Sequence, residues 1–500
     1  MGSSTALLLA LTALALAAVC LPSALLDRVT WRALLSWVLA AIALFIPAHP
    51  LATLVLMAIA MAALAPWGTR DRVAYFLMVV PAVPVYVAAP LPFPGINFLT
   101  VLTHYKLAVA VVLVPAIVAC LGVAYRKGAR VADISLAAFL VVTALLSLAA
   151  YNVTYGARFL VDQLLLIGIP FFVLSRVIRG ERDLVALASA LVVAAVLLAG
   201  ITWVATARQF DFYRLLDPSP LAAEADIRGG FLRIAGTLNN HSLGFHLGVA
   251  LLLLEFLKTR VKLSFWRLWL VRGFLAGALF FTGSRGAMVG TALAFSVCGL
   301  LLFRSMAVRI VLSASFLTVV AAAVLWLLSD ASSRADPYGT FSYRQQLLET
   351  AIRFVIDNPL FGDIHYQTSG DFDHMVQGQG IIDITNLYLQ VAVQYGLVGL
   401  TCFLGWVGPI TLALMLRLRK WDGADALEQT VILTGALLLG WLAYVATTSD
   451  VGLTMHLGIV LLAIGRATTH YAARRSYRPR PELPRFPERH ETVPSSATPA

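Results

Sequence analysis

The sequence predicts an all-α polytopic membrane protein, and three observations carry that prediction. Of its 500 residues, 60% are hydrophobic and only 13% charged, against about 25% charged for a domain that solvates its own surface. The mean hydropathy is +0.84. Apolar runs of about 16 to 22 residues recur along most of the chain, each able to cross roughly 30 Å of hydrocarbon as a helix. Lipid offers backbone amides no partner, so helices are the expected spanning form. A membrane barrel would show short alternating strands instead.

Fifteen runs qualify: 7–25, 33–48, 51–66, 73–90, 107–125, 134–151, 159–177, 184–204, 242–257, 268–282, 286–303, 309–329, 397–416, 430–447 and 452–466. The expected architecture is therefore about 14–15 transmembrane helices with a large outer-face loop containing amphipathic helices. The net charge of +11 does not indicate nucleic acid. Lys and Arg lie mostly in short loops between the runs, as the positive-inside bias requires. "DRVTWR", "WGTRDR", "RKGAR", "RGERD", "KTRVKLSFWR", "RSMAVR" and "RLRK" are short, basic and on one side, which is read as the cytoplasm. The opposite side receives "PAHP", "NVTYGAR", the "GSRG" turn, "TTSD" and both long loops.

This gives a division into N-terminal transmembrane helices (1–204), an outer loop (205–241), and transmembrane helices with a Ser-Arg-Gly hairpin (242–329). A large outer loop (330–396), C-terminal transmembrane helices (397–466) and a disordered cytoplasmic tail (467–500) follow. The tail is rich in Pro and Arg and has little to pack, but it can meet anionic lipid. Cys20, Cys120, Cys298 and Cys402 each stand alone in an apolar run, so they read as packed hydrophobes. No basic residue precedes the first run, which argues against a cleaved signal.

The outer face carries the candidate chemistry. Arg285 stands in "FFTGSRGAMVG" between Ser284 and Gly286. A lone arginine at an interface can be a snorkelling anchor, but the positive-inside bias disfavours it here. Gly283 and Gly286 would let a bulky anion approach the backbone, and the start of the next helix exposes free amides. In "RIAGTLNNHSLGFHLG", Asn239, Asn240 and His241 stand where a loop becomes a helix, and Asn is a strong N-cap. His246, one turn further in, reads as a packed histidine.

Within 330–396, "SYRQQLLETAIRFVIDNPLFG" reads as an amphipathic helix with Leu347, Leu348, Ile352 and Val355 on one stripe, stopped by Pro359 and Gly362. Arg344 sits near its start. His365, Asp371, Asp373, His374 and Asp383 follow, at spacings that match no EF-hand or zinc signature, so no metal site is expected. "NLYLQVAVQYGLVGL" then begins a helix that runs into the membrane.

The Ser-Arg-Gly turn between two helices, the helical "R…NPLFG" and "TNLYLQVAVQYGLVGL" after a long outer loop together resemble bacterial O-antigen ligases and Wzy-type polysaccharide polymerases. The likeness spans roughly residues 230 to 410. It implies a metal-independent GT-C-type glycosyltransferase needing no cofactor, in the bacterial inner membrane with its large loops periplasmic. The implied donor is a glycan on undecaprenyl pyrophosphate and the acceptor another glycan. A flippase and a chain-length regulator are implied partner proteins. Such transfer requires charge stabilisation on the leaving pyrophosphate, which arginine supplies by bidentate pairing. Arg285 and Arg344 are the pair for this task, with Arg233 a third.

Asn240, His241 and Ser284 are further substrate-binding candidates. Where ligases carry His-Asn, this chain has Thr385-Asn386, and threonine cannot act as a base at neutral pH. Either His374 or Asp383 takes that role, or the reaction relies on its leaving group. Asn386 and Tyr388 would hold the acceptor sugar. The threonine favours a polymerase over a ligase. A transporter or flippase would instead need ionisable residues deep in several helices and paired broken segments. Asp162 stands nearly alone in that respect.

Overall fold

The computed structural model describes residues 2–47, 49–92, 94, 97–122, 130–217, 227–228, 231–302, 307, 340–376, 382–418, 426–449 and 454–475. Its helices are α1 Ser3–Cys20, α2 Arg28–Phe45, α3 Pro50–Leu64, α4 Thr69–Val79, α5 His104–Leu121, α6 Arg130–Ala150, α7 Val153–Val177 and α8 Glu181–Ala207. After these come α9 Asn240–Leu257, α10 Phe265–Phe281, α11 Arg285–Leu302, α12 Thr340–Asp357, α13 Leu387–Leu418, α14 Ala426–Val445 and α15 Thr454–Arg475. Two short antiparallel ladders, β1 Ala88–Pro90 with β2 Val101–Thr103 and β3 Ile227–Arg228 with β4 Phe231–Leu232, shape the loops.

Nine helices among the described residues are long and apolar enough to cross a membrane, and Pro50–Leu64 and Arg285–Leu301 are shorter apolar helices. Fourteen of the fifteen apolar runs of the sequence overlap described helices, although the run 73–90 is α-helical only to Val79 and its last three residues form β1; the run 309–329 lies outside the described residues. The last helix continues to Arg475, past the 466/467 boundary set by hydropathy alone, because amphipathic turns can extend beyond the apolar run. Residues 476–500 of the expected tail lie outside the described residues.

The centre of the bundle is α8. It is apolar all round, which is the signature of a helix buried on every side. It packs against α1, α4, α9 and α10, and on α1 its Gly200 lies where a methyl group would collide with the Ala13 carbonyl. Two neighbouring helices are locally unwound, which the sequence reading did not expect. α5 takes a wide π-helical turn at Val109–Leu113, just before Pro115, and α7 does the same at Leu164–Gly168, before Pro170. A proline in a helix removes a donor and crowds the preceding carbonyl, and a widened turn relieves that crowding.

The two ends of the bundle are held differently. At one end, ion pairs join distant helices: Asp133 of α6 with Arg466 of α15 and Arg176 of α7, and Glu181 with Arg260 at 2.8 Å. At the other end, the loops bind one another. Tyr86 donates its hydroxyl to the Tyr213 carbonyl at 2.6 Å, and Thr237 donates to the Pro81 carbonyl at 2.6 Å. The segment 340–396 belongs to this second end, where His365 Nε2 lies 3.3 Å from the Ala150 carbonyl.

That segment has a small core of its own. Leu347, Ala351 and Phe354 of α12 point into a cluster with Tyr366, Phe372, Met375, Ile382, Ile384 and Val393. The stripe read from sequence is corrected here. Leu347 is buried and Val355 packs beside the cluster, but Leu348 and Ile352 face outward. Ala351 and Phe354 complete the buried row, at the i, i+4, i+7 spacing that a helix requires.

The core is joined to α13 at a kink. Gly396 has φ +64°, and a methyl group there would collide with the Leu360 carbonyl and the Phe361 amide. The Leu397 amide donates to the Pro359 carbonyl at 2.8 Å, and Val398 donates to Leu360 at 3.1 Å. Replacing Gly396 with alanine combines left-handed strain with this collision, each worth about 1 kcal/mol or more. The Gly396→Ala chain is expected to melt earlier in detergent and to be cleaved faster by protease within 340–395; unchanged melting and cleavage would remove the kink from the argument.

Candidate active site

The hairpin between α10 and α11 is built by short-range rules. Thr282 donates its hydroxyl to the Leu279 carbonyl at 2.7 Å and accepts from the Ser284 amide at 3.3 Å, closing the end of α10. Gly283 then turns the chain with φ +60°, a conformation that favours glycine. Ser284 accepts from the Ala287 amide at 3.4 Å, which makes it the cap of α11. Arg285 is the first helical residue, and its side chain is exposed. The Met288 amide donates to the Ser284 carbonyl at 3.1 Å and closes the first helical turn.

A second segment lies across this hairpin. Asp211 is buried, and its carboxylate accepts from the Ala235 and Gly236 amides at 2.9 Å each and from Tyr213 at 3.3 Å. Burial holds the Asp211 carboxyl above the usual carboxylate range, an effect that those backbone donors and nearby Arg214 only partly offset. The clasp fixes the turn at Gly236, whose φ is +59°, and the Ile234 amide donates to the Phe281 carbonyl at 3.3 Å.

Arg233 is thereby laid on the hairpin. It is 7% exposed, and a methyl group at Gly283 would stand 2.9 Å from its Cγ and 3.1 Å from its Nε. Gly283 therefore serves twice, as a turn residue and as the slot for an arginine.

The start of α9 completes the group. Asn239 accepts from the Ser242 amide at 2.6 Å and caps the helix that Asn240 opens. His241 places its Nδ1 3.0 Å from the Ser284 hydroxyl. Gly244, one turn on, lets α9 close on the hairpin; a methyl group there would meet Ala287 and Thr282 at 2.9 Å. Of the residues singled out from sequence, Arg233, His241 and Ser284 are brought together, with Arg285 adjacent in the chain.

The remaining sequence candidates sit on the loop core or its exit. Arg344 is exposed near the start of α12, which packs against α13 and the turn 373–375. His374 is exposed, with Nε2 3.3 Å from the Thr350 hydroxyl. Asp383 is half-buried; burial pushes the Tyr366 hydroxyl up, and Asp383 adds to that effect. Asn386 accepts from the Leu389 amide at 3.2 Å and so caps α13. Tyr388 donates its hydroxyl to the Leu442 carbonyl of α14 at 3.1 Å. Both side chains thus hold α13 in position.

Two other readings find their place here. Asp162 pairs with Lys106 at 2.7 Å, and Lys106 also donates to Thr100 and to the Val101 carbonyl. The lone acid of α7 is therefore half of an ion pair that pins the β2 loop. His246 is buried, with Nδ1 2.8 Å from the Ser242 carbonyl and its ring stacked over His456. Asp211 was not singled out from sequence. A lone carboxylate in the aromatic stretch "FDFY" was the available signal, but its partners lie some 24 residues on.

Residues 270–404 match a family model described as O-antigen ligase. That segment is similar to the O-antigen ligase domain. The matched O-antigen ligase segment runs from α10 through the hairpin and α12 into α13, and it contains Ser284, Arg285, Arg344, His374, Asp383, Asn386 and Tyr388. Arg233 and His241 lie outside it and reach its hairpin through the fold, and Asn240, also outside it, opens α9. The match and the apolar helices together support a membrane protein of glycan ligation or polymerisation. No curated protein matches the chain.

Asp211 holds the Arg233 segment of this O-antigen ligase-type site from outside the matched domain. Asp211→Ala would leave three backbone amides without their acceptor, at about 1–3 kcal/mol for each that is buried. The variant should lose both melting temperature and glycan transfer, and Asp211→Asn, which keeps one oxygen for the Ala235 and Gly236 amides, should recover part of both. Equal loss in Asn and Ala variants, or none in either, would separate Asp211 from the placement of Arg233.

Proposed function

We propose that the protein polymerises undecaprenyl-pyrophosphate-linked oligosaccharide repeat units into an exopolysaccharide or O-antigen chain at the outer face of the bacterial inner membrane, without a metal. The observation that carries this reading is a buried arginine seated on a Ser-Arg-Gly hairpin whose own arginine is exposed beside a helix N-terminus. Two guanidinium groups beside a helix N-terminus at one lip of the bundle suit a diphosphate. In the reaction, an acceptor hydroxyl oxygen bonds to the anomeric carbon of the donor. The bond from that carbon to the phosphate oxygen breaks, and its electron pair leaves with the lipid pyrophosphate. Arg285 and Arg233 stabilise the charge that builds there, and Arg344 of the loop is assigned to the same task. The acceptor proton passes to His374 or Asp383, the basic groups near the Thr385 position.

A second reading, transfer of a finished glycan to a lipid A core or protein, is favoured by the description of the matched family as a ligase. Thr385, where ligases carry histidine, favours polymerisation. A transport reading loses its main support in the pairing of Asp162 with Lys106.

Arg285→Ala is expected to lower transfer on the order of 10²–10³-fold, the cost of one stabilising group in a preorganised site, with normal expression. Arg285→Lys should recover little, because a point charge does not replace the planar fork. A fully active Arg285→Ala chain would remove this arginine from the mechanism. In a deletion strain, mass analysis of lipid-linked glycans should find single repeat units; long lipid-linked chains would establish the ligase instead. Purified protein should act on a lipid-pyrophosphate donor without ATP or an ion gradient, and a requirement for either would favour transport.

A further inference from the structure

Three parallel rows run along α12, one residue apart. Leu347, Ala351 and Phe354 point into the loop core. Glu349, Arg353 and Asp357 form an exposed polar row. Between them lie Leu348, Ile352 and Ile356, which are 46%, 46% and 68% exposed and which the loop core leaves uncovered. Leu360 and Phe361 extend the row past the helix end, again more than half exposed. Five large apolar side chains on successive turns make a continuous patch, unlike the scattered single exposures that every surface has.

The structure also shows where the patch leads. The Pro359 and Leu360 carbonyls are hydrogen-bonded to the Leu397 and Val398 amides, immediately past the kink at Gly396. Leu397 is itself exposed and opens a row with Leu404, Leu412 and Leu416 along α13, a helix long and apolar enough to span a bilayer. On a spanning helix such a row faces lipid. The α12 row is thus continuous with a surface already covered by hydrocarbon, and the neighbouring polar row of α12 would face water. A helix with that division lies in the plane of the interface.

We propose that α12 is an interfacial helix, with Leu348, Ile352, Ile356, Leu360 and Phe361 seated in the headgroup–acyl boundary of the leaflet beneath the loop core. The loop core then floats on the bilayer with its buried row turned to protein and its second row to lipid. The clamp at Gly396 sets its depth.

The test uses the full chain with Cys20, Cys120, Cys298 and Cys402 replaced by serine, reconstituted into phosphatidylethanolamine–phosphatidylglycerol vesicles. An environment-sensitive fluorophore is attached in turn to Ile352→Cys, Ile356→Cys and Arg353→Cys. At 352 and 356, emission should shift to the blue and fall about twofold or more with nitroxide-bearing phospholipid, as for apolar positions buried in the interface. At 353, aqueous iodide should quench instead. Equal iodide quenching at all three positions would overturn the proposal. So would shielding at 352 and 356 from both quenchers that is lost when protein is diluted in lipid, because the row would then be covered by a second copy. Photo-crosslinking of the unsubstituted chain with a phospholipid bearing an acyl-chain diazirine checks the result without cysteine replacement. Adducts within 348–361 are expected, and adducts confined to the spanning helices would overturn the assignment.

Discussion

In hydrocarbon, apolar side chains gain nothing by leaving lipid for protein, so helices choose their neighbours by how closely their backbones can approach. That constraint governs the part of this molecule where the hairpin sits. On α9, Gly248 leaves the space that Thr291 of α11 fills, and Gly244 does the same for Ala287. A methyl group on Gly290 of α11 would stand 2.7 Å from the Gly440 carbonyl of α14, and one on Gly286 would collide with Thr447. Phe245 and Tyr444 stack 4.6 Å apart across the same crossing. With α9, α11 and α14 locked together, Ser284 has one position relative to His241, and Gly283 presents one slot to Arg233.

The charged groups inside the fold follow a related logic. An ionised side chain away from water is costly unless its partners are in place. Asp133 meets two arginines, Lys106 meets Asp162, and Asp211 takes backbone amides. Each of these charges organises structure: helices at one end of the bundle, loops at the other. Arg285 and Arg344 stand apart in being exposed, on an end whose backbone those buried groups have already shaped. A guanidinium open to the interface on a fixed backbone is suited to an anion that arrives with the substrate.

The fold class was legible because membrane solvation writes itself into composition. Leu7–Leu25 reads as a span and the structure forms Ser3–Cys20, a few residues displaced, since hydropathy locates a run better than its caps. The hairpin was legible too, because Gly283 and the cap at Ser284 are local signals. What sequence could not supply was set by contacts between distant positions. The face of α12 that turns inward depends on Tyr366 and Phe372, which only the folded loop brings to it. The hydrogen bond from the Tyr388 hydroxyl to Leu442, 54 residues on, is of the same kind. Asp211 is an unremarkable carboxylate until the turn at Gly236 closes over it.

The same contact of Tyr388 connects the two halves of the candidate site. Its hydroxyl is held by the last turns of α14, at Leu442. Thr447, just beyond the end of that helix, packs against Gly286 beside the hairpin. The start of α13 and the start of α11 are therefore both referenced to one short stretch of α14. Asp383, Thr385 and Asn386 lie within five residues of Tyr388, so the chain entering α13 has little freedom to drift relative to Ser284 and Arg285. Transfer between two bound sugars requires such a fixed offset, because a misplacement of about 1 Å can cost on the order of 10²-fold in rate. Anchoring both elements to one helix provides it without a direct bond between them. The loop core can then follow the bilayer surface while its exit into α13 stays registered on the hairpin.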